Sequence, residues 1–103
     1  MKHIVVDLEM NNISNKYKDF DCTMETIEVG AIMLDENYQE ISSFRTYVRP
    51  EYNNRIRPLI SRLTGITYDM VINAPKFDEA MKMFSNWCLG VNDDIKIYAW
   101  SEN

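Results

Sequence analysis

Short apolar runs separated by polar turns occupy the first half of the chain. Residues 2–9 are mostly apolar and partly β-branched, which predicts a strand buried on both faces. The polar segment 11–21 indicates an exposed loop. Apolar residues return over 26–34 and 40–48, and the intervening DENY at 35–38 has turn composition. These two segments therefore predict a β-hairpin.

Helical signals dominate the second half. Pro58 and Gly65 bracket a short helix, and Thr67 begins a further helical turn. The next helix has a single apolar face, formed by Phe77, Ala80, Met81, Phe84, Trp87 and Cys88. This spacing predicts that these side chains belong to the core and do not form a base-stacking platform. Residues 90–94 turn the chain, and 95–100 predict a fourth strand. The order is β-β-β-α-β, in which the helix makes a right-handed crossover to a strand parallel to the first.

Composition and charge narrow the class of protein. The chain has 103 residues, 46% of them hydrophobic and 26% charged, which indicates one globular domain or part of one. A net charge of −5 argues against a broad basic face that coats nucleic acid, but not against a nuclease that uses divalent cations. The sequence shows no signal peptide or membrane-spanning run, so we expect a cytoplasmic protein. We expect Cys22 and Cys88 to be free thiols.

Two carboxylates stand out on the first predicted strand. Asp7 and Glu9 are two residues apart, so their side chains project from the same face, about 6–7 Å apart along the backbone. Such a pair can share divalent cations, and two ions about 3.5–4 Å apart are a common device for hydrolysing phosphodiesters. Taken alone, the short D-x-E pattern more often marks a strand end that faces solvent.

Several segments in sequence order make the pattern more specific. VVDLE at 5–9 and ETIEVGA at 25–31 resemble the first motif and hairpin of the DEDD-type 3′-to-5′ exonucleases, whose fold is ribonuclease-H-like. LTGIT at 63–67 and the residues that follow resemble the nucleotide-contacting helix of that family and the start of its next helix. IYAWSEN at 97–103 resembles the approach to the second motif. The LTGI segment is most similar to the exoribonuclease branch, including bacterial relatives described as sporulation inhibitors.

The resemblance implies an α/β fold, a mixed ribonuclease-H-like sheet, and a set of site residues. Asp7 and Glu9 would be catalytic and would ligate two Mg²⁺ or Mn²⁺ ions. The backbone near Met10 and the side chains of Leu63 and Thr64 would hold the nucleotide at the 3′ end of a single strand. The pocket would have Ile66 as part of its wall. Local chemistry leaves open that Leu63 closes the helix against the core and that Thr64 belongs to a helix stop.

Other residues receive no catalytic role. Glu28 is assigned as a structural acid of the hairpin, and His3 as a surface residue in the wrong place for a general base. In the loop, Lys16, Tyr17 and Phe20 are weaker candidates for contact with nucleic acid.

The catalytic set of the family is incomplete in this sequence. The family needs four acidic ligands and a histidine or tyrosine base, and we expect the third acid immediately after Asn103. Residues 1–103 are therefore interpreted as the N-terminal part of a single exonuclease domain, lacking its C-terminal elements and inactive alone. A gene fragment and a short regulatory protein that kept the fold both fit this interpretation. The edge of strand 95–100 predicts self-association.

Two other functions remain open. One is another ribonuclease-H-like enzyme, such as an endonuclease or integrase relative, although the LTGI segment argues against it. The other is a binding module without catalysis, which holds a protein or a single-stranded 3′ end. A 3′-phosphate on the oligonucleotide separates these hypotheses, since a site that reads the 3′ end should reject it. RNA and DNA are both open as substrates.

Overall fold

Four strands and three helices make up the fold. The computed structural model describes residues 1–13 and 24–100. In chain order the elements are β1 (Lys2–Asn12), β2 (Met24–Leu34), β3 (Glu40–Tyr47), α1 (Pro58–Thr64), α2 (Tyr68–Val71), α3 (Phe77–Leu89) and β4 (Ile95–Trp100). This order confirms the predicted one, with two short helices before the long one. No helix in these described ranges is long and apolar enough to span a membrane.

The strands form one mixed sheet in the order β3-β2-β1-β4. β1 is antiparallel to β2 and parallel to β4, which confirms the predicted hairpin and the parallel return of the chain. Asp7 pairs with Gly30 on β2 and with Trp100 on β4. The register with β2 shifts between Glu9 and Met10, next to the site. β1 is therefore a central strand with a backbone neighbour on each side.

Most of the core lies between α3 and one face of the sheet. Ile4, Ala31 and Met33 pack there against Cys88, with Phe84 and Trp87 beside them. The indole Nε1 of Trp87 donates to Ser42 Oγ on β3 at 2.9 Å. The helical stripe is therefore core, as predicted, except at its first residue, since Phe77 is 48% exposed.

A second cluster joins the two short helices to the sheet. It consists of Ile27 from β2, Ile56, Ile66 and Val71. Gly65 ends α1 in the left-handed conformation (φ 77°), and Thr67 occupies the N-cap position of α2, both as the sequence predicts.

Two expectations about β1 were wrong. The strand continues to Asn12, so residues 11 and 12 belong to β1 and not to the predicted loop. Asn11 is fully buried because its amide satisfies backbone groups of the segment before α1. β1 is also not buried on both faces, since Asp7 is exposed and Leu8 is 41% exposed.

Candidate active site on the open face of the sheet

The two predicted carboxylates lie on the face of the sheet that points away from α3. Ile4 and Val6 pack towards α3, and β1 alternates regularly as far as Glu9. Asp7 and Glu9 therefore project from the opposite side, which we call the open face; Glu28 and Arg45 lie on it too. Asp7 is exposed and Glu9 is half-buried. The strand thus carries both carboxylates on one face of the sheet, as the sequence predicted.

The space beside Asp7 is kept clear by a glycine. Gly30 is the cross-strand partner of Asp7, and a Cβ added to it would lie 3.8 Å from the Asp7 carbonyl oxygen, an ordinary contact distance. A small side chain would fit there, but a larger one would extend over the open face next to the carboxylate. The absence of a side chain at residue 30 leaves room for a ligand at Asp7.

A third acid, Glu28, lies directly across from Glu9 but forms an ion pair with Arg45. Glu28 pairs with Glu9 across the strands, and like charges in this position repel. The Nη2 of Arg45 on β3 lies 2.6 Å from Glu28 Oε2, and this hydrogen bond raises the pKa of Arg45 further. Arg45 also donates to the Tyr47 hydroxyl at 2.8 Å. Glu28 is therefore held as a structural acid, in agreement with its exclusion from the ligand set.

The donor chemistry of the open face fits a hard divalent cation. Carboxylate oxygens are the ligands that Mg²⁺ and Mn²⁺ prefer. Within the described residues, Asp7 has no ion pair or hydrogen bond to its carboxylate that would compete with a cation. The described part of the chain contains no group of three or more acidic, histidine or cysteine side chains that could hold a metal ion. The site accordingly offers the pair Asp7 and Glu9.

A buried asparagine ties the segment before α1 to the end of β1. Asn11 Nδ2 donates to the Arg55 carbonyl oxygen at 3.1 Å, and the Arg57 N–H donates to Asn11 Oδ1 at 3.1 Å. Asn11 lies two residues beyond Glu9, about 6–7 Å along the strand. The α1 region is therefore fixed close to the carboxylates. Sequence analysis missed this residue, because a polar side chain near the end of a strand indicates a loop.

The predicted nucleotide-contacting residues have three different environments. Leu63 is 75% exposed at the end of α1. The Thr64 hydroxyl donates to the Ile60 carbonyl at 2.8 Å and accepts from the Ile66 N–H at 3.1 Å, so it closes the helix. Ile66 is 2% exposed and belongs to the second core cluster. Leu63 is thus the one of these three that presents a large free apolar surface.

Met10 lies apart from that surface. It lines a cavity of about 580 Å³ whose described lining also includes Ile13, Met24, Val48 and Phe77, and none of Leu63, Thr64 or Ile66. Nearby, Glu25 accepts from the Glu51 N–H at 2.8 Å, and burial raises the pKa of Glu25 above its ordinary value. The prediction for Met10 concerned its backbone, which continues β1 directly from Glu9.

The structure describes two of the remaining residues named from the sequence, His3 and Cys88. His3 is half-buried, stacks on Tyr38 at 4.7 Å and forms a 2.9 Å hydrogen bond with the Tyr98 hydroxyl, so it is not a free surface residue. Cys88 is a free thiol, as expected, and burial raises its pKa. The loop candidates and the second cysteine lie outside the described residues: Lys16, Tyr17, Phe20 and Cys22.

A carboxylate pair thus lies on the central strand of a mixed sheet, on the face opposite α3. Residues 4–96 match the exonuclease (RNase T) family. The chain belongs to the DEDD-type 3′-to-5′ exonuclease family.

Two curated relatives illustrate how far the likeness extends. Human 3′-5′ exoribonuclease 1 is 30% identical over 97 aligned residues, which cover 78% of this chain and 28% of the human protein. The PolC-type DNA polymerase III of Staphylococcus aureus is 31% identical over 85 residues, which cover 82% of this chain and 5% of the polymerase. The chain thus spans less than a third of the length of either relative.

Solved structures share the fold. The nuclease domain of 3′hExo, a DEDDh family member bound to rAMP, superposes with a TM-score of 0.80 at 24% identity, covering 95% of this chain and 50% of that one. A full-length 3′-exonuclease gives 0.82 at 23% identity, covering 98% and 34%. These likenesses confirm the ribonuclease-H-like fold class.

Proposed function

We propose that residues 1–103 are the N-terminal part of a single exonuclease domain that removes nucleotides from the 3′ end of single-stranded RNA or DNA by two-metal-ion hydrolysis. The observation that carries this proposal is the pair Asp7 and Glu9, which lies side by side on the open face with a clear space at Gly30. Family membership supports the reaction class. The names of the two relatives, an exoribonuclease and a DNA polymerase, support both kinds of nucleic acid.

In this proposal Asp7 and Glu9 hold divalent cations, Mg²⁺ or Mn²⁺. When bound, the cations would activate water and stabilise the leaving oxygen. Arg45 keeps Glu28 paired, so the charge of Glu28 does not add to that of the two ligands. Near the α1 end, Leu63 offers an exposed apolar surface to the terminal nucleotide.

The other three contact residues have supporting roles. The Met10 backbone borders the site next to Glu9. Thr64 and Ile66 fix the end of α1 through their mutual hydrogen bond and through burial of Ile66.

Two carboxylates alone should bind cations weakly and cannot orient an attacking water. The described residues bring no third acidic ligand to Asp7 and Glu9. We therefore expect the chain of 103 residues to be inactive by itself, and activity to require further ligands and a base.

The test is exonuclease activity on 5′-labelled single-stranded RNA and DNA with Mg²⁺ or Mn²⁺. The chain is compared with the protein read through to its natural stop codon. We expect stepwise shortening only by the longer protein, and loss of shortening in its Asp7→Ala form. Glu79→Ala, which removes an exposed carboxylate on α3, is the matched control and should retain activity. Activity that persists in Asp7→Ala, or its absence from the longer protein, would contradict the proposal.

A second function, binding without catalysis, is favoured by the small number of carboxylates that the described residues bring together. Oligonucleotides with a free or a phosphorylated 3′ end distinguish its forms. A site that reads the 3′ end binds only the free hydroxyl, whereas a module for a protein partner binds neither.

A further inference from the structure

Positive charge is concentrated in one short stretch of an acidic chain. Residues 52–68 contain three arginines and no acidic residue, a net charge of +3. The chain as a whole carries −5, which leaves −8 for all other residues. The three arginines are Arg55, Arg57 and Arg62, and we call them the arginine patch.

The arginine patch faces solvent for a structural reason. Ile56 is 7% exposed and packs into the second core cluster, so its two neighbours in the extended segment, Arg55 and Arg57, point outwards. Arg62 is exposed in the last turn of α1. None of the three guanidinium groups is ion-paired with an acid among residues 1–13 and 24–100. Their charge is therefore available to a ligand.

The patch also borders the carboxylate site. Asn11, two residues beyond Glu9, binds the backbone of Arg55 and Arg57 directly. Tyr47, the cross-strand partner of Glu28 on the open face, packs against the same core cluster as Ile56. The backbone that carries Arg55 and Arg57 thus lies about two residues' length from Glu9, and Arg62 directly precedes the exposed Leu63.

We propose that the arginine patch binds the phosphodiester backbone of the single strand upstream of its 3′-terminal nucleotide. This inference rests on the proposed function. Guanidinium groups pair with phosphate oxygens in bidentate geometry, and an acidic protein needs such a local patch to offset repulsion of a polyanion. The carboxylates and their cations would hold the terminal phosphodiester, while the arginines hold those behind it.

The experiment measures binding of 5′-fluorescein-labelled single-stranded oligonucleotides to the full chain in Ca²⁺ as a function of salt concentration. The triple variant Arg55→Gln/Arg57→Gln/Arg62→Gln should make the negative slope of log K against log salt less steep by about 2, since each phosphate contact on a single strand contributes about −0.7. The matched control, Lys76→Gln/Lys82→Gln/Lys96→Gln, removes three exposed cations elsewhere and should leave the slope unchanged. The charge-retaining triple Arg-to-Lys variant should keep most of the slope.

The length of the ligand separates this inference from the function on which it rests. A 5′-mononucleotide should bind the triple Gln variant and the wild type equally, whereas an eight-nucleotide strand should lose affinity only in the Gln variant. An unchanged slope in the Gln variant, or equal competition by a polyglutamate peptide, overturns the inference and leaves the proposed function intact. Failure of the wild-type chain to bind the eight-nucleotide strand also overturns the inference, whereas the proposed function is decided separately by the activity of the longer protein.

Discussion

Replacing Asn11 should destabilise the chain far more than its position near a strand end suggests. Its side chain is 0% exposed and bonds to the Arg55 carbonyl and the Arg57 N–H. Asn11→Ala removes both hydrogen bonds, each with a net value of about 1 kcal/mol, and leaves two backbone groups short of a partner. Leaving these buried backbone groups without a partner costs about 1–3 kcal/mol more. We expect a decrease of about 3 kcal/mol in the free energy of unfolding.

Urea denaturation followed by tryptophan fluorescence measures this decrease. With an m value of about 1.5 kcal/mol/M, a loss of about 3 kcal/mol lowers the midpoint by about 2 M. Asn54→Ala, an exposed change in the same connection, should shift the free energy by less than about 0.5 kcal/mol. Asn11→Leu distinguishes the causes, because it fills the space but makes no hydrogen bond. If Leu restores wild-type stability, or if Ala costs less than about 0.5 kcal/mol, the hydrogen bonds do not hold this segment.

Three further predictions concern other parts of the fold. The hydrogen bond from Lys2 lowers the pKa of Glu36 to about 2. The ionised Glu36 therefore stabilises the fold fully above its ordinary pKa of 4.5, and this stabilisation is lost as the pH falls towards 2. Glu36→Gln should reduce the fall in Tm between pH 4.5 and pH 2. Trp87→Phe removes the bond to Ser42 but keeps an aromatic ring, and should cost about 1 kcal/mol in urea unfolding; a change near zero would show that the bond contributes nothing. We expect self-association through the outer edge of β4, so Ile97→Lys, at a residue 54% exposed, should lower the sedimentation coefficient of concentrated samples; matching profiles would contradict this.

Local patterns were sufficient for most of the fold. The alternation and turn residues around 35–38 defined the hairpin, and the spacing of apolar residues defined α3. Phe77 followed the same spacing but is 48% exposed and lines the cavity beside Met10 and Val48. Spacing identifies a helical face, whereas the length of face that is covered depends on the neighbouring elements.

The site was predicted in part. The D-x-E spacing placed Asp7 and Glu9 on one face, and the two-residue period of a strand is sufficient for that result. The partners of that face come from other strands, so neither Arg45 beside Glu28 nor Gly30 beside Asp7 could be assigned from spacing. Such contacts depend on the register between strands, which no local pattern in β1 contains.

The central position of β1 also affects how the protein folds. Asp7 pairs with Trp100, so the two partners are separated by 93 positions along the chain. During synthesis β1 emerges first and β4 last of the described elements, and closing so long a loop carries a large entropic cost. Until β4 docks, the backbone edge of the strand that bears Asp7 lacks its parallel partner and is open to mispairing. Completion of the pairing of β1 is therefore coupled to the latest and most non-local step in formation of the sheet.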